Sequence, residues 1–186
     1  MNKEKSVISD LKYSLNKVEQ AKPIIRYLLG GGEIQTVEGR DDEICLMLDR
    51  NCGIDYFQMY DNGITWGIGS RVQKIYPGKF PYNTFTVRKD RQSNERTEFE
   101  KKEIAIKRNG IYPYLSLQGY YDAITGEMIS LAIAKTKDIM EIIKNGYYRI
   151  LRTGTSQIGQ AFFYTVDWYA VKKMGYPIKI WSLEEE

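Results

Sequence analysis

Two apolar segments joined by a tight turn constrain this chain more than any other feature. They flank Asp61-Asn62-Gly63, and Asn-Gly between apolar runs favours a β-hairpin because both residues tolerate a positive φ. Side chains alternate along a strand, so Gly69, Arg71 and Gln73 share one face of the second segment, opposite a more apolar face. We therefore expect Arg71 and Gln73 to be presented together, away from the main core, with Asp55 close by on the neighbouring strand.

The composition is that of a globular domain. A length of 186 residues suits one domain, and the balance of 42% hydrophobic with 27% charged residues does not suit a disordered chain. No apolar run approaches the ~20 residues of a membrane helix, and the N-terminus lacks an apolar signal region. These features predict a cytoplasmic protein in which Cys45 and Cys52 are free thiols.

The absence of histidine narrows the chemistry. It excludes Ser-His-Asp and Cys-His catalysis, as well as histidine-ligated metals, within this chain. Two cysteines without histidine also cannot complete a tetrahedral zinc site. Any metal must therefore use oxygen ligands, which points to Mg²⁺, Mn²⁺ or Ca²⁺.

The order of predicted elements indicates a single mixed α/β domain, with a mostly antiparallel or mixed sheet flanked by helices. Helix 9–29 should be kinked or split by Pro23 and ended by Gly30-Gly31-Gly32. A capping-box pattern at Thr97 begins another helix, and Asp167 caps the last. The other predicted elements are strands 33–38, 54–60, 64–73, 84–88, 115–121, 128–134, 147–151, 161–165 and 178–181, helix 137–144, and an apolar piece of unassigned type at 44–48.

Asp55, followed after thirteen residues by Gly69-Ser70-Arg71-Val72-Gln73, resembles the motif of the PD-(D/E)xK, or restriction-endonuclease-like, nuclease superfamily. That family has a core of helix, three-stranded meander, helix and further strand. Its aspartate lies near the start of the second strand, and Glu-x-Lys, in some branches Glu-x-Lys-x-Gln, lies on the third. The resemblance covers roughly residues 9–121 and leaves 122–186 as a C-terminal α/β extension. It implies a DNA endonuclease that uses Mg²⁺ or Mn²⁺, with Asp55 as a metal ligand and Arg71 and Gln73 as catalytic residues.

The chain departs from that motif at two positions. Gly69 stands where the family has its second carboxylate, and Arg71 replaces a lysine. Arginine can hold a phosphate but cannot act as a base at neutral pH. The metal would then be held by Asp55, the carbonyl of Gly69 and a carboxylate from elsewhere, for which the candidates are Asp49, Glu98 and Glu100.

Other interpretations remain open for these residues. Asp55 and Arg71 could form a cross-strand salt bridge, and Gln73 could be an ordinary exposed strand residue. Glu98 and Glu100 could complement the dipole of their helix. The fold could then have lost hydrolysis and kept nucleic-acid or protein binding, or be a small structural or interaction subunit.

A basic cluster after the fourth predicted strand is the candidate DNA-binding surface. Arg88, Lys89, Arg91 and Arg96 could bind a nucleic-acid backbone, although such clusters are also ordinary surface. The tyrosine-rich tract 110–121 could stack bases or pack in a buried strand. A DNA partner is expected on the resemblance, no membrane partner is expected, and a homodimer is left open.

Overall fold

Two β-sheets and the helices around them form the fold. The computed structural model describes residues 19–90, 96–153 and 161–183. Within these ranges, one sheet has six strands and the other has three. This confirms the predicted mixed α/β class, and the restriction-endonuclease-like core stays a prediction.

The described helices and strands follow one another with short connections. The first helix, α1, is described over residues 19–29. The remaining elements, in chain order, are β1 (Glu33–Thr36), α2 (Glu43–Met47), a π-helical segment (Leu48–Cys52), β2 (Tyr56–Met59), β3 (Thr65–Ile75), β4 (Thr84–Arg88), α3 (Glu98–Lys107), β5 (Leu115–Asp122), β6 (Met128–Lys135), α4 (Thr136–Lys144), β7 (Arg149–Thr153), β8 (Ala161–Asp167), α5 (Trp168–Lys173) and β9 (Ile178–Ser182).

The larger sheet begins with an antiparallel meander. Its strand order is β1-β2-β3-β5-β6-β9. Strands β1, β2 and β3 pair antiparallel, and the predicted hairpin therefore forms around Asp61-Asn62-Gly63. After α3, the chain returns as β5 and pairs parallel to β3, with Arg71 opposite Gln118. The parallel pair places the start of β5 beside the motif-bearing part of β3.

The smaller sheet ties the C-terminal third to the first half of the chain. Its order is β4-β8-β7, and both pairings are antiparallel. Strands β6 and β9 extend the larger sheet instead. The predicted extension 122–186 therefore contributes described strands to both sheets and is not a separate unit.

Apolar clusters cover both faces of the larger sheet. On one face, Ile25 of α1 packs with Ile68, Leu117 and other side chains of the central strands. On the other face, Tyr120 and residues of α4, α5 and the smaller sheet form a second cluster. The expectation that Arg71 points away from the main core is therefore wrong, because its face is also covered by a packed layer.

Local sequence signals fixed several element ends. Thr97 forms the predicted capping box of α3, and Asp167 accepts a hydrogen bond from Ala170 N (2.9 Å) at the start of α5. The unassigned segment 44–48 is mostly α2, capped by Asp42. Pro23 does not split α1, since residues 19–29 are helical on both sides of it; residues 9–18 of that predicted helix lie outside the described ranges. No helix in the described part is long and apolar enough to cross a lipid bilayer.

Candidate active site

A cavity of about 290 Å³ lies where the π-helical segment, β3, β4, α3 and β5 meet. It gathers most of the site residues predicted from the sequence. Those that line it are Asp49, Asp55, Gly69, Arg71, Arg88, Arg96 and Glu98. Arg50, Lys101, Lys102, Ser116, Thr86 and Gln118 also line the cavity. Basic side chains therefore outnumber the acidic ones around it, which suits an anionic ligand.

Asp55 is held immediately before β2 by backbone contacts. Its N–H donates to the carbonyl of Ile68 (2.9 Å), and its Oδ2 accepts a hydrogen bond from Ser70 N. Burial raises the pKa of Asp55 to about 7, and the negative charges of Glu38 and Asp49 add to this effect, while the Ser70 hydrogen bonds oppose it. A carboxyl group with this pKa changes charge near neutral pH, which favours a functional role.

Glu38 and Asp49 form the acidic surroundings of Asp55. The chain at Glu38 is fixed beside Asp55, because Val37 N and Glu38 N both donate to the Asp55 carbonyl (2.8 and 3.1 Å). Burial raises the pKa of both Glu38 and Asp49, and Asp49 raises that of Glu38 further by its charge. A cation bound near these carboxylates would offset the free-energy cost of burying their negative charges together.

Glu98 has the opposite surroundings. Its Oε2 lies 2.7 Å from Arg71 Nη2, and its Oε1 lies 2.7 Å from Lys102 Nζ. The backbone N–H of Arg88 also donates to Oε2 (3.1 Å). Burial by itself would raise the pKa of Glu98, but the positive charges of Lys102 and Arg71 lower it to about 2. Glu98 therefore stays ionised and orients two cations toward the cavity.

Arg71 bridges α3 and the smaller sheet. Besides its ion pair with Glu98, its guanidinium lies over the ring of Phe163 on β8, 4.9 Å from the centroid. Among the described residues, its ion pair is with Glu98 and not with Asp55. The predicted cross-strand salt bridge is therefore wrong, and Asp55 is left without a cationic partner there.

Gly69 leaves no room for a side chain. A Cβ atom at this position would lie 2.7 Å from the Gly53 carbonyl oxygen and 3.0 Å from Pro113 Cγ. Successive residues of a strand direct their backbone groups to opposite neighbours. Because Ile68 and Ser70 bond toward Asp55, the Gly69 carbonyl is directed toward β5. This direction counts against its predicted role as a metal ligand.

The glutamine amide that lies beside Arg71 in the cavity belongs to Gln118 and not to Gln73. Gln118 pairs with Arg71 across β5 and β3, is 1% exposed, and lines the cavity. Its Oε1 accepts a hydrogen bond from Thr86 Oγ1 (2.9 Å), whereas its Nε2 is buried without a hydrogen-bond partner in the described part. Such a donor costs free energy unless a ligand or water satisfies it. Gln73 lies outside the cavity, two residues beyond Arg71 on β3.

Other predicted residues lie apart from the cavity or outside the description. Glu100 is exposed and caps its own helix through Thr97, as the helix-dipole interpretation expects. Lys89 lies 5.9 Å from the ring of Tyr164, outside the cavity lining. Arg91 lies outside the described residues. In tract 110–121, Tyr120 and Tyr121 are buried, which confirms the buried-strand interpretation for these two and excludes them from base stacking.

The available ligand atoms are carboxylate oxygens, which are the type that a hard divalent cation prefers. Mg²⁺ in phosphate-processing sites is commonly bound by one or two carboxylates together with substrate phosphates and water. Asp55 and Asp49 supply such oxygens and carry charges that burial disfavours. No three His, Cys, Asp or Glu side chains in the described ranges form a group able to hold a metal. Glu98 could join the ligands only by releasing Arg71 or Lys102.

Lys102 and Gln118 are among the cavity residues that the sequence reasoning missed. Lys102 is a nearly buried lysine, and Glu98 at i−4 was the available signal for its pairing. Gln118 lies with Ser116 in a strand that is otherwise rich in apolar and aromatic residues, and a glutamine there could have signalled a buried polar contact. Comparison with known proteins found no matching family model, no matching curated protein and no matching solved structure.

Proposed function

We propose that this protein is a metal-dependent phosphodiesterase that cleaves DNA, on a restriction-endonuclease-like core. The single observation that carries the proposal is the cavity itself. It gathers Asp49, Asp55, Arg71 and Glu98 from four separate segments, beside a surplus of basic side chains. A structural ion pair does not explain why Asp55 is buried, because its charged neighbours are other acidic groups.

The order of elements supports the proposal. Helix α1, the meander β1-β2-β3, helix α3 and strand β5 parallel to β3 correspond to the core that the sequence resemblance implies. Strand β4 is an addition between β3 and α3, and it belongs to the smaller sheet. Asp55 lies at the start of the second strand of the meander, and Arg71 lies on the third.

In this proposal, the acidic side of the cavity binds the cation. Asp55 and Asp49 would hold Mg²⁺ or Mn²⁺, and the bound cation would supply Lewis-acid polarisation of the phosphate and activation of water. Below pH 7 Asp55 is largely protonated, so its proton has to leave before it can act as a ligand. Because of this raised pKa, cleavage activity should fall as the pH drops below 7.

The basic side of the cavity binds the phosphodiester. Glu98 fixes Arg71 and Lys102, whose charges stabilise negative charge that develops on the phosphoryl oxygens. The amide nitrogen of Gln118 donates to a phosphate oxygen or to water. Arg88 and Arg96 are the members of the predicted DNA-binding cluster that reach this cavity, and they extend its positive surface.

Cleavage of labelled DNA tests the proposal. Linear duplex, branched and single-stranded substrates are incubated with Mn²⁺ and with EDTA, using wild type and Asp55→Asn. We expect cleavage that requires the metal and falls at least 100-fold in Asp55→Asn. The exposed turn variant Asp61→Asn is the matched control and should cut normally. Equal cutting by Asp55→Asn, or cutting in EDTA, would reject the proposed site.

A catalytically silent DNA-binding module is the second candidate. It is favoured by Gly69, where the closed packing excludes the carboxylate that the family carries on this strand. It is also favoured by Glu98, whose charge is already neutralised. This candidate predicts salt-sensitive DNA binding that EDTA does not change, together with no cleavage of any of the three substrates.

A further inference from the structure

A second depression, which we call the tyrosine groove, lies on the smaller sheet. Its volume is about 620 Å³, and Tyr82, Tyr147, Tyr148 and Arg149 line it. Among the described residues, strand β7 forms one edge of the sheet. The end of α5 lines the groove through Ala170 and Met174.

The groove presents aromatic rings to solvent. Tyr82 is 64% exposed, Tyr147 is 61% exposed and Tyr148 is 38% exposed. Tyr148 is braced by an edge-on contact with Tyr164, with 4.7 Å between ring centroids. Rings gathered around one groove, instead of scattered over the surface, mark a binding site. The acidic residue of the groove, Asp167, is engaged by Ala170 N at the helix start.

The tyrosine groove and the candidate active site are lined by neighbouring parts of the smaller sheet. Thr86, which lines the active-site cavity, pairs with Thr165, which in turn pairs with Arg149 of the groove. These three residues therefore form one row on one face of the smaller sheet. Neighbouring strands are about 4.8 Å apart, so Thr86 and Arg149 are separated by about 10 Å across the sheet.

We infer that the tyrosine groove binds single-stranded nucleic acid that continues from the phosphodiester in the cavity. Exposed rings stack on unpaired bases, and Arg149 contacts the backbone. Bases in a duplex are already stacked on their neighbours, so a duplex cannot use these rings. This inference rests on the proposed function, which places a phosphodiester of the same nucleic-acid strand in the cavity. It identifies the substrate class as DNA with a single-stranded segment.

Binding without cleavage tests the inference separately from the proposed function. A labelled 20-nucleotide single strand and its duplex are titrated in EDTA by fluorescence anisotropy. We expect Tyr82→Leu combined with Tyr147→Leu to weaken single-strand binding about tenfold or more and to leave duplex binding unchanged. The matching pair of Phe substitutions should bind as wild type, because phenylalanine keeps the ring. Tyr27→Leu, at a 78% exposed tyrosine on α1, is the control and should also bind as wild type.

Several outcomes would overturn the inference. Wild-type affinity in the double Leu variant, an equal loss for duplex, or no single-strand binding at all would each do so. If sedimentation shows that the Leu pair dissolves an oligomer, the groove is a protein interface instead. The proposed function fails in a different way, by absence of Mn²⁺-dependent cleavage, and single-strand binding at the groove would persist in that case.

Discussion

Two of the acidic groups that line the cavity, Asp55 and Glu98, have opposite surroundings. Glu98 lies between Arg71 and Lys102, and these cations lower its pKa to about 2 in spite of its burial. Asp55 lies near Glu38 and Asp49, and burial with these charges raises its pKa to about 7. One carboxylate is therefore permanently charged at neutral pH, and the other is poised between two charge states.

The difference separates a supporting role from a reactive one. A carboxylate that holds two cations in fixed positions contributes to stability and orientation. A carboxylate buried near other negative charges makes the folded state less stable, and such a cost is typical of a site that awaits a cation or a proton. The comparison therefore predicts that removing the two charges has opposite effects on stability.

Glu98→Gln should give the largest change, a loss of about 3–5 kcal/mol in the free energy of unfolding. The substitution leaves Arg71 and Lys102 beside each other without their shared counter-charge. Urea unfolding at pH 7 measures the loss. Glu103→Gln, on the more exposed ion pairs of the same helix, should lose less than ~1 kcal/mol.

The pH dependence of wild type checks the same pair. Because the folded pKa of Glu98 is lowered, its contribution is present above about 4.5 and is lost as the pH falls toward 2. Adding Lys102→Met to Glu98→Gln should recover part of the stability, since one uncompensated cation is removed. An equal loss in the single and double variants would contradict the assigned role of Lys102.

Asp55→Asn should raise the free energy of unfolding at pH 8 by about 2–3 kcal/mol. Asparagine can still accept the hydrogen bond from Ser70 N but carries no charge. The folded pKa of Asp55 is raised, so its destabilising effect is absent below the ordinary value of 3.8, grows as the pH rises toward 7 and is fully present above 7. The advantage of Asp55→Asn should therefore disappear near pH 4, and a gain that is equal at pH 4 and pH 8 would show that charge is not its cause.

Local signals made much of the fold predictable. Asn62-Gly63 fixed the hairpin, and Thr97 and Asp167 fixed two helix starts, because each acts within a few residues of itself. The pattern around Asp55 and Arg71 also predicted that these two residues come together, and both line one cavity. In these cases the determining contacts lie within the segment being read.

Long-range contacts account for what the sequence did not reveal. Arg71 pairs with Glu98, 27 residues away, and that choice depends on where α3 packs. Pro113, in the connection between α3 and β5, fills the space that a side chain at Gly69 would need. Gln118, and not Gln73, lies beside Arg71 in the cavity, because β5 pairs parallel to β3 in the register that places Arg71 opposite Gln118. No local pattern encodes these arrangements.

Gly69→Ala should lower the free energy of unfolding by about 1–3 kcal/mol. The new Cβ atom would meet a backbone oxygen at 2.7 Å, and the Gly53 segment leading to Asp55 would have to move. The variant therefore tests whether the acidic side depends on this close packing. Gly110→Ala is the control, because a Cβ there has ordinary contacts of 3.6 Å or more, and it should be tolerated. Equal stability of Gly69→Ala and wild type would refute the close approach.

The smallest expected effect concerns Mn²⁺ and the proton that Asp55 carries. If Asp55 binds the cation, proton and metal compete for one carboxylate, so the apparent Mn²⁺ affinity should rise about tenfold from pH 5.5 to pH 6.5, which is ~1.4 kcal/mol, and level off above pH 7. Isothermal titration calorimetry at several pH values measures this slope. Asp49→Asn should weaken binding but keep a slope, since Asp55 still titrates, whereas Asp55→Asn should lose it. If the Mn²⁺ affinity of Asp55→Asn still depends on pH, the competing proton is on another group. The proposed difference in role between Asp55 and Glu98 would then be wrong.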